Sequence, residues 1–181
     1  MFTLKGYQER ALGAVETFFR HARVVGREQA WTKSISELGQ APRLYDRSAL
    51  GEVPAVCVRI PTGGGKTYLA AHAVARIGQV LLDSDAPAAL WLTPSDAIRT
   101  QTLAMLQTPS HPCRLALESH FGDRVRVCAL EDLPTVGPQE VGASAIIIVA
   151  TIQSFNVRDK TIRNAYAFDE GFSAHFQSLT P

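Results

Sequence analysis

The sequence has almost no excess of charge and very few cysteines, and both shortages limit what the chain can do. Its 18 basic and 17 acidic residues leave a net charge of +1, which excludes a global electrostatic attraction to nucleic acid or membrane. Any nucleic-acid surface must therefore be a local patch. The three cysteines, Cys57, Cys113 and Cys128, suit neither a zinc site nor a disulfide framework. We expect reduced thiols, with Cys57 and Cys128 buried in apolar strands.

Long hydrophobic runs are also missing. No apolar run approaches the length needed to span a bilayer, and the residues after Met1 lack the uninterrupted apolar core of a signal peptide. Hydrophobic residues make up 46% of the 181 residues and charged residues 19%, which is typical of a globular protein. We therefore expect a domain of ordinary size, located in the cytoplasm and without a membrane partner.

What the sequence does contain is a glycine-rich stretch at residues 59–67, which reads Arg-Ile-Pro-Thr-Gly-Gly-Gly-Lys-Thr. The apolar run at residues 54–60 predicts a strand before it, and residues 68–77 predict a helix after it. Strand, glycine turn and helix in this order form the geometry that holds a nucleotide's phosphates. Lys66 can reach the β- and γ-phosphates, and the Thr67 hydroxyl is placed to ligate Mg²⁺.

The glycine-rich stretch departs from the strict phosphate-loop pattern at one position. The pattern G-x-x-x-x-G-K-[ST] requires glycine where this chain has Ile60. The alternative interpretation is a glycine-rich hairpin turn, or a loop before an ordinary helix. Consecutive glycines followed by Lys66 and Thr67, between a buried-type strand and a helix, favour a nucleotide site instead.

The N-terminal segment, residues 1–23, is predicted to be an amphipathic helix, because its apolar residues repeat at helical spacing. Gln8 lies near the start of this helix, next to Tyr7. A glutamine amide offers a donor and an acceptor that match the edge of adenine, although a solvated helix residue is the alternative. Residues 24–53 show little periodicity, and we expect an irregular connector with a short helix and a surface loop.

The remainder of the chain alternates between predicted strands and helices. Strands are predicted where Val, Ile or Leu are concentrated between Pro and Gly, at residues 88–93, 124–130 and 145–150. One helix is predicted after Ser95, which can cap it, and another at residues 112–121. Gly78 and Gly122 are predicted to end the helices that precede them.

This alternation indicates an α/β fold with a doubly wound parallel sheet. In such sheets, ligands bind at the carboxyl ends of the strands. Residues 61–67, 93–95 and 151–155 each follow a predicted strand. We therefore expect these three stretches to lie at the ligand-binding edge of the sheet.

These stretches resemble the motifs of superfamily 2 helicases of the DEAD/DEAH type. Residues 61–67 are similar to motif I, in which the first glycine of the general phosphate loop is often replaced. The surroundings resemble the helicase (Res) subunit of type III restriction enzymes. Further similar stretches are Tyr7-Gln8, Trp91-Leu92-Thr93-Pro94-Ser95, His120-Phe121-Gly122-Asp123 and Ala150-Thr151-Ile152-Gln153-Ser154-Phe155. The resemblance covers nearly the whole chain and implies the P-loop NTPase (RecA-like) fold.

The resemblance also implies a role for each matching residue. Lys66 and Thr67 would be the catalytic residues, with Thr67 also the metal ligand, and Gln8 would be the Q-motif glutamine that reads adenine. The implied ATP-binding residues are Gln8, Pro61, Thr62, Gly63, Gly64, Gly65, Lys66 and Thr67. The implied nucleic-acid contacts, at motifs Ia and Ib, are Thr93, Pro94, Ser95, Thr151 and Ile152. Strand-end capping is the alternative role for Thr93 and Thr151.

The carboxylates that ATP hydrolysis requires are not evident. Motif II of the family is an apolar strand ending in Asp-Glu, which binds Mg²⁺ through water and places the attacking water. Asp169 and Glu170 are the nominal match, but they follow a poor strand, and we interpret them as loop carboxylates. Motif III and a second RecA-like domain are not found. We expect residues 1–181 to be the N-terminal portion of a helicase motor domain, incomplete and inactive alone.

The leading hypothesis is the ATP-binding part of an ATP-dependent DNA helicase or translocase, with ATP and Mg²⁺ as cofactors. The resemblance implies DNA or RNA as a partner, together with the rest of the helicase chain and a modification (methyltransferase) subunit. No endonuclease motif is present in the sequence. Two alternatives stay open: a non-catalytic nucleotide-binding or interaction fragment, and an unrelated P-loop ATPase or kinase.

Overall fold

The computed structural model describes residues 3–45 and 52–155. The chain divides between Asp85 and Ala86 into two compact units. Asp169 and Glu170 lie outside the described residues, so their interpretation as loop carboxylates stays a prediction.

Three helices build the first unit: α1 (Gly6–Val25), α2 (Arg27–Glu37) and α3 (Lys66–Leu82). The amphipathic helix predicted for residues 1–23 is confirmed as α1. Gly26 separates α1 from α2 with a φ of 76°, a value that glycine adopts without steric cost. The short helix expected within residues 24–53 is confirmed as α2.

Aromatic side chains form the core of the first unit. Phe18 is buried and packs edge-on against Phe19 and Trp31, with ring centroids 5.2 and 6.1 Å apart. Tyr45 stacks on Phe18 at 5.8 Å, and the Trp31 indole N–H donates to the Arg43 carbonyl at 2.9 Å. Because aromatic rings bury much apolar surface, this cluster holds α1, α2 and the loop after α2 together.

The helix after the glycine loop is longer than predicted. Residues 68–77 form its middle, but α3 extends beyond them on both sides, and Gly78 is buried inside it. Val80 and Leu81 pack against the aromatic core. This burial stabilises the helix beyond Gly78, although a glycine by itself favours a helix end. The helix ends instead at Asp83, which adopts a left-handed φ of 55°.

The strand predicted at residues 54–60 does not form, so this prediction was wrong. Every regular element in the described part of the first unit is a helix, and a strand needs a neighbouring extended backbone for its hydrogen bonds. Val56, Val58 and Ile60 instead line an apolar cavity of about 460 Å³, together with side chains of α1 and α3. Cys57 is exposed, which corrects the expectation that it is buried.

A parallel three-stranded sheet forms the second unit. Its strands are β1 (Ala88–Thr93), β2 (Val125–Ala129) and β3 (Ala145–Thr151), in the order β1–β3–β2. Two helices, α4 (Asp96–Gln107) and α5 (Pro112–Phe121), connect β1 to β2. Two 3₁₀ helices, Leu130–Thr135 and Pro138–Glu140, lie between β2 and β3. The strands and helices predicted for this part of the chain are confirmed, with small differences at their ends.

The middle strand β3 is the centre of the second unit's core. All seven of its residues are buried, as is typical of a parallel strand with neighbours on both sides. Ile146 and Ile148 pack with Cys128 of β2 and with Leu133 and Val136 of the connection that follows β2. The burial predicted for Cys128 is confirmed, and desolvation raises the pKa of its thiol.

The helix caps of the second unit match the sequence in part. Ser95 caps α4 as predicted, because its Oγ accepts the Ile98 N–H at 3.4 Å. At α5 the cap is His111, whose Nδ1 accepts the Cys113 N–H at 3.1 Å. Gly122 follows the last residue of α5 with a φ of 62°, which confirms its predicted role as a helix end.

The α/β class with a parallel sheet is therefore confirmed, and the arrangement is consistent with part of a RecA-like fold. Among residues 3–45 and 52–155, no helix is long and apolar enough to cross a membrane.

Candidate functional site

The glycine loop begins with a tight turn. The Gly64 N–H donates to the Pro61 carbonyl at 3.0 Å, and Gly63, at the third position of this turn, has a φ of 77°. Gly65 has a φ of 76° and immediately precedes α3. Residues other than glycine rarely adopt such φ values. The turn and the helix start therefore explain two of the three glycines.

The middle glycine is required for a different reason, which is space. A Cβ atom on Gly64 would overlap Cγ2 of Ile60 and approach the Pro61 carbonyl oxygen to 2.9 Å. Ile60 is the residue that departs from the general phosphate-loop pattern, and its side chain fills the space next to Gly64. The isoleucine at one position and the glycine at the other are therefore physically coupled.

Lys66 and Thr67, the predicted catalytic residues, are the first two residues of α3. Backbone N–H groups in the first turn of a helix have no intrahelical acceptor, and the helix dipole adds positive potential there. Lys66 is exposed, and its Nζ donates to the Pro61 carbonyl at 3.2 Å. An anion at the helix start would compete with this carbonyl for the ammonium group. The loop thus has the donors and the charge that phosphate binding requires.

Gln8 lies directly on the glycine loop. It is 5% exposed, and its Nε2 donates to the Gly64 carbonyl at 2.9 Å while its Oε1 accepts the Lys5 N–H at 2.8 Å. The alternative that Gln8 is a solvated helix residue was therefore wrong. Its contact with adenine stays a prediction. Tyr7, to which the sequence analysis assigned no role, also donates its hydroxyl to the Gly64 carbonyl, at 2.8 Å.

Ion pairs connect α1 to α3 beside the glycine loop. Arg76 of α3 donates to Glu9 at 2.6 Å and lies 3.6 Å from a carboxylate oxygen of Glu16, both on α1. These partners are far apart in sequence, so no local pattern could have identified them. They hold the start of α1, and with it Gln8, near the helix that begins at Lys66.

The two predicted nucleic-acid motifs meet at one edge of the second unit's sheet. Thr93, the last residue of β1, is the register partner of Thr151, the last residue of β3. The expectation that residues 93–95 and 151–155 lie together at the carboxyl edge is confirmed. The glycine loop belongs to the first unit, and the strand predicted to place it at the same edge does not form.

The hydroxyls of both threonines already have partners within the protein. Thr93 is buried and donates to the Ala150 carbonyl at 3.2 Å. Thr151 is buried, with its Oγ1 2.9 Å from the Ser154 Oγ. The strand-end role that the sequence left open therefore accounts for both hydroxyls.

The other predicted contacts at this edge are accessible. Pro94, Ser95 and Ile152 are exposed, and the Gln153 amide donates to the Pro94 carbonyl at 3.2 Å, which links the two loops. Pro94, Ser95, Ile152 and Gln153, defined here as the edge platform, form the part of the motifs that a ligand could reach.

A nearby cation is engaged in ion pairs. Arg99, in the first turns of α4, donates to Glu131 at 2.5 Å and to Asp96 at 3.2 Å. The hydrogen bond with Glu131 raises the pKa of Arg99. The pKa of Glu131 is lowered by its own backbone N–H and then by Arg99. Arg99 therefore connects α4 to the 3₁₀ helix after β2.

A metal site made of protein ligands alone is not seen within the part of the chain that the structure describes, because no three His, Cys, Asp or Glu side chains cluster there. Thr67 is the predicted metal ligand, and a single hydroxyl suits Mg²⁺ that is held mainly by nucleotide phosphates and water. The residues present fit a magnesium–nucleotide complex, in which the nucleotide supplies the missing oxygen ligands.

The fold and the glycine loop define the class of this protein as a P-loop domain with a parallel α/β sheet. A family model described as the res subunit of type III restriction enzymes matches residues 1–175. The chain belongs to this family, and it carries a helicase-type ATP-binding domain of a class that uses ATP and Mg²⁺. No curated protein and no solved structure matches the chain.

Substitution of Gly64 tests the space requirement of the loop. Gly64→Ala should weaken ATP binding at least about tenfold, or ~1.4 kcal/mol, because the added Cβ displaces Ile60 or the Pro61 carbonyl. The measurement is the ATP dissociation constant by isothermal titration calorimetry in the presence of Mg²⁺. Gly13→Ala is the matched control, since a Cβ at that helical position meets nothing within 4 Å. Equal affinities of the two variants would contradict the assignment.

Proposed function

We propose that this chain is the ATP-binding part of an ATP-dependent DNA helicase or translocase of the type III restriction res-subunit type. The observation that supports it most strongly is the glycine loop, in which both positive φ values and the space at Gly64 require glycine. This loop leads directly into α3, which presents Lys66 and Thr67 at its first turn. The match to the res-subunit family supports the helicase-type part of the proposal.

In this proposal the loop binds ATP through its triphosphate. Lys66 leaves the Pro61 carbonyl and pairs with phosphate oxygens, and the backbone N–H groups at the start of α3 donate to the same anion. Thr67 ligates Mg²⁺. The remaining loop residues, Pro61, Thr62, Gly63 and Gly65, shape the backbone around the phosphates, and Gln8 reads the adenine edge. When bound, ATP supplies the phosphoanhydride bond whose hydrolysis releases the energy for movement.

Nucleic acid binds at the edge platform in this proposal. Ser95 and Ile152 are its exposed contacts. Thr93 and Thr151 support the platform indirectly, because the Thr93 hydroxyl donates to the Ala150 carbonyl of β3 and the Thr151 hydroxyl bonds Ser154 in the loop that follows β3. Backbone N–H groups at the start of α4 suit a phosphate of one strand. Contacts of this kind position a strand without reading its sequence. They agree with a chain whose net charge is only +1.

Hydrolysis and movement require parts outside the described residues. The proposed partners are DNA, or RNA, the rest of a larger helicase with a second motor domain, and a modification subunit, and the proposed location is the cytoplasm. No nuclease activity is assigned to this chain. The second candidate function is a non-catalytic nucleotide-binding module. It is favoured by the finding that residues 3–45 and 52–155 contain no group of three or more His, Cys, Asp or Glu side chains that could hold a metal ion.

Substitution of Lys66 tests nucleotide binding at the loop. Lys66→Ala should weaken ATP binding about 10- to 100-fold, because a hydrogen bond between charged groups is lost. Lys33→Ala removes another exposed lysine, from α2 of the same unit, and should leave the dissociation constant unchanged. Tight ATP binding by Lys66→Ala, measured by fluorescence with a labelled nucleotide, would contradict the site.

Substitution of Ser95 tests nucleic-acid binding at the edge platform. Ser95→Asp retains a good helix cap but places a negative charge where a phosphate would lie. Single-stranded DNA binding, measured by fluorescence anisotropy at low salt, should weaken about fivefold, and the difference should shrink as salt is added. Ser110→Asp is the control, since Ser110 is an exposed serine just before α5. A loss of the same size in both variants would show that the platform has no special role.

A further inference from the structure

The Gly64 carbonyl accepts two side-chain hydrogen bonds from α1. The Tyr7 hydroxyl donates to it at 2.8 Å and the Gln8 amide at 2.9 Å. A carbonyl oxygen has two lone pairs, so both are used. These three groups, the Tyr7 hydroxyl, the Gln8 amide and the Gly64 carbonyl, are referred to here as the Gly64 clamp. The residues that it joins are more than fifty positions apart in the sequence, so the clamp depends on the folded first unit.

The Gln8 side chain can make its part of the clamp in one orientation only. Its Oε1 accepts the Lys5 N–H at 2.8 Å, which leaves the NH₂ group facing Gly64. The side chain is buried and lies so close to the loop that a Cβ on Gly65 would approach its Nε2 to 2.6 Å. Gln8 therefore packs on the backbone of two successive glycines, where there is no room for side chains.

The clamp fixes the direction of the Gly65 N–H as well as that of the Gly64 carbonyl. The Gly64–Gly65 peptide unit is planar and trans, so its C=O and its N–H point in opposite directions. Two hydrogen bonds that turn the Gly64 oxygen toward α1 thus turn the Gly65 N–H away from α1. Gly65 immediately precedes α3, and its N–H is one of the donors that a phosphate at this helix start would use. Without the clamp, a peptide unit between two glycines is free to rotate.

We propose that Tyr7 is a positioning residue of the phosphate site, which acts by holding the Gly64–Gly65 peptide unit so that the Gly65 N–H faces the phosphates. This inference rests on the proposed nucleotide-binding function of the loop. The ligand group that it concerns is the polyphosphate chain and not the base. Tyr7 therefore contributes equally to the binding of a nucleoside triphosphate and of inorganic triphosphate.

Gln8 differs from Tyr7 because its side chain has further hydrogen-bonding groups that a ligand could use. Its amide retains one N–H and one lone pair beyond the bonds to Gly64 and Lys5. These two groups are sufficient for the predicted contact with adenine. Changes at Gln8 therefore affect base and phosphate binding together. The Tyr7 hydroxyl affects the loop alone and gives the cleaner test.

The test compares Tyr7→Phe with the unaltered 181-residue chain. The variant keeps the ring and removes one of the two hydrogen bonds to Gly64. It should weaken binding of Mg²⁺–ATP and of Mg²⁺–tripolyphosphate by the same factor, about three- to tenfold. Tyr45→Phe is the matched control, because the Tyr45 hydroxyl also bonds backbone of the first unit, at Ala55. It should leave both affinities unchanged.

Amide resonances give a readout that a general loss of stability would not move. In the free Tyr7→Phe variant, the Gly65 amide resonance should be displaced from its position in the unaltered chain, while Tyr45→Phe leaves it in place. The proposal is overturned by unchanged affinities in Tyr7→Phe, by a loss for ATP alone, or by an equal loss in Tyr45→Phe. If the unaltered chain binds neither ligand, the proposed function itself fails, and that result is seen before any variant is examined.

Discussion

The lack of space for a side chain at Gly64 is the constraint on which the site in the first unit depends. On one side the Ile60 side chain occupies the position where a Cβ would lie, and on the other the Tyr7 hydroxyl and the Gln8 amide hold the carbonyl. A Cβ at this position would overlap Ile60 and crowd the Pro61 carbonyl oxygen, so glycine is the residue that fits. The departure from the general phosphate-loop pattern at Ile60 is thus part of the packing of this loop. An isoleucine there requires a glycine four residues later.

The first unit is arranged so that α1 supports the loop from one side and α3 extends from it on the other. Arg76 joins these two helices through Glu9 and Glu16, and the aromatic core around Phe18 fixes α1 against α2. The start of α3 presents backbone N–H groups that have no acceptor within the helix, together with the side chain of Lys66. In the second unit, the buried strand β3 brings two loops to one edge of the sheet. It does so because it pairs with β1 in a register that aligns the ends of the two strands.

The sequence predicted correctly the elements that depend on neighbouring residues. It did not predict the features that depend on a partner far away in the sequence. The strands at residues 88–93 and 145–150 and the Ser95 cap depend on composition and on neighbouring residues, and all were confirmed. The strand at residues 54–60 was wrong, because strand formation requires a neighbouring backbone that composition cannot reveal. The glycine loop could be located from its pattern. The hydrogen bond from Tyr7 to this loop could not be predicted, because Gly64, its acceptor, is fifty-seven residues away in the sequence.

The central claim is that the chain binds ATP as one part of a helicase motor. The most direct measurement is steady-state ATP turnover, with and without single-stranded DNA, by this chain and by a version extended downstream to include a second motor domain. The account predicts that the 181-residue chain binds ATP without turning it over, and that the extended version shows turnover stimulated by DNA. Turnover by the short chain that is independent of DNA would contradict it.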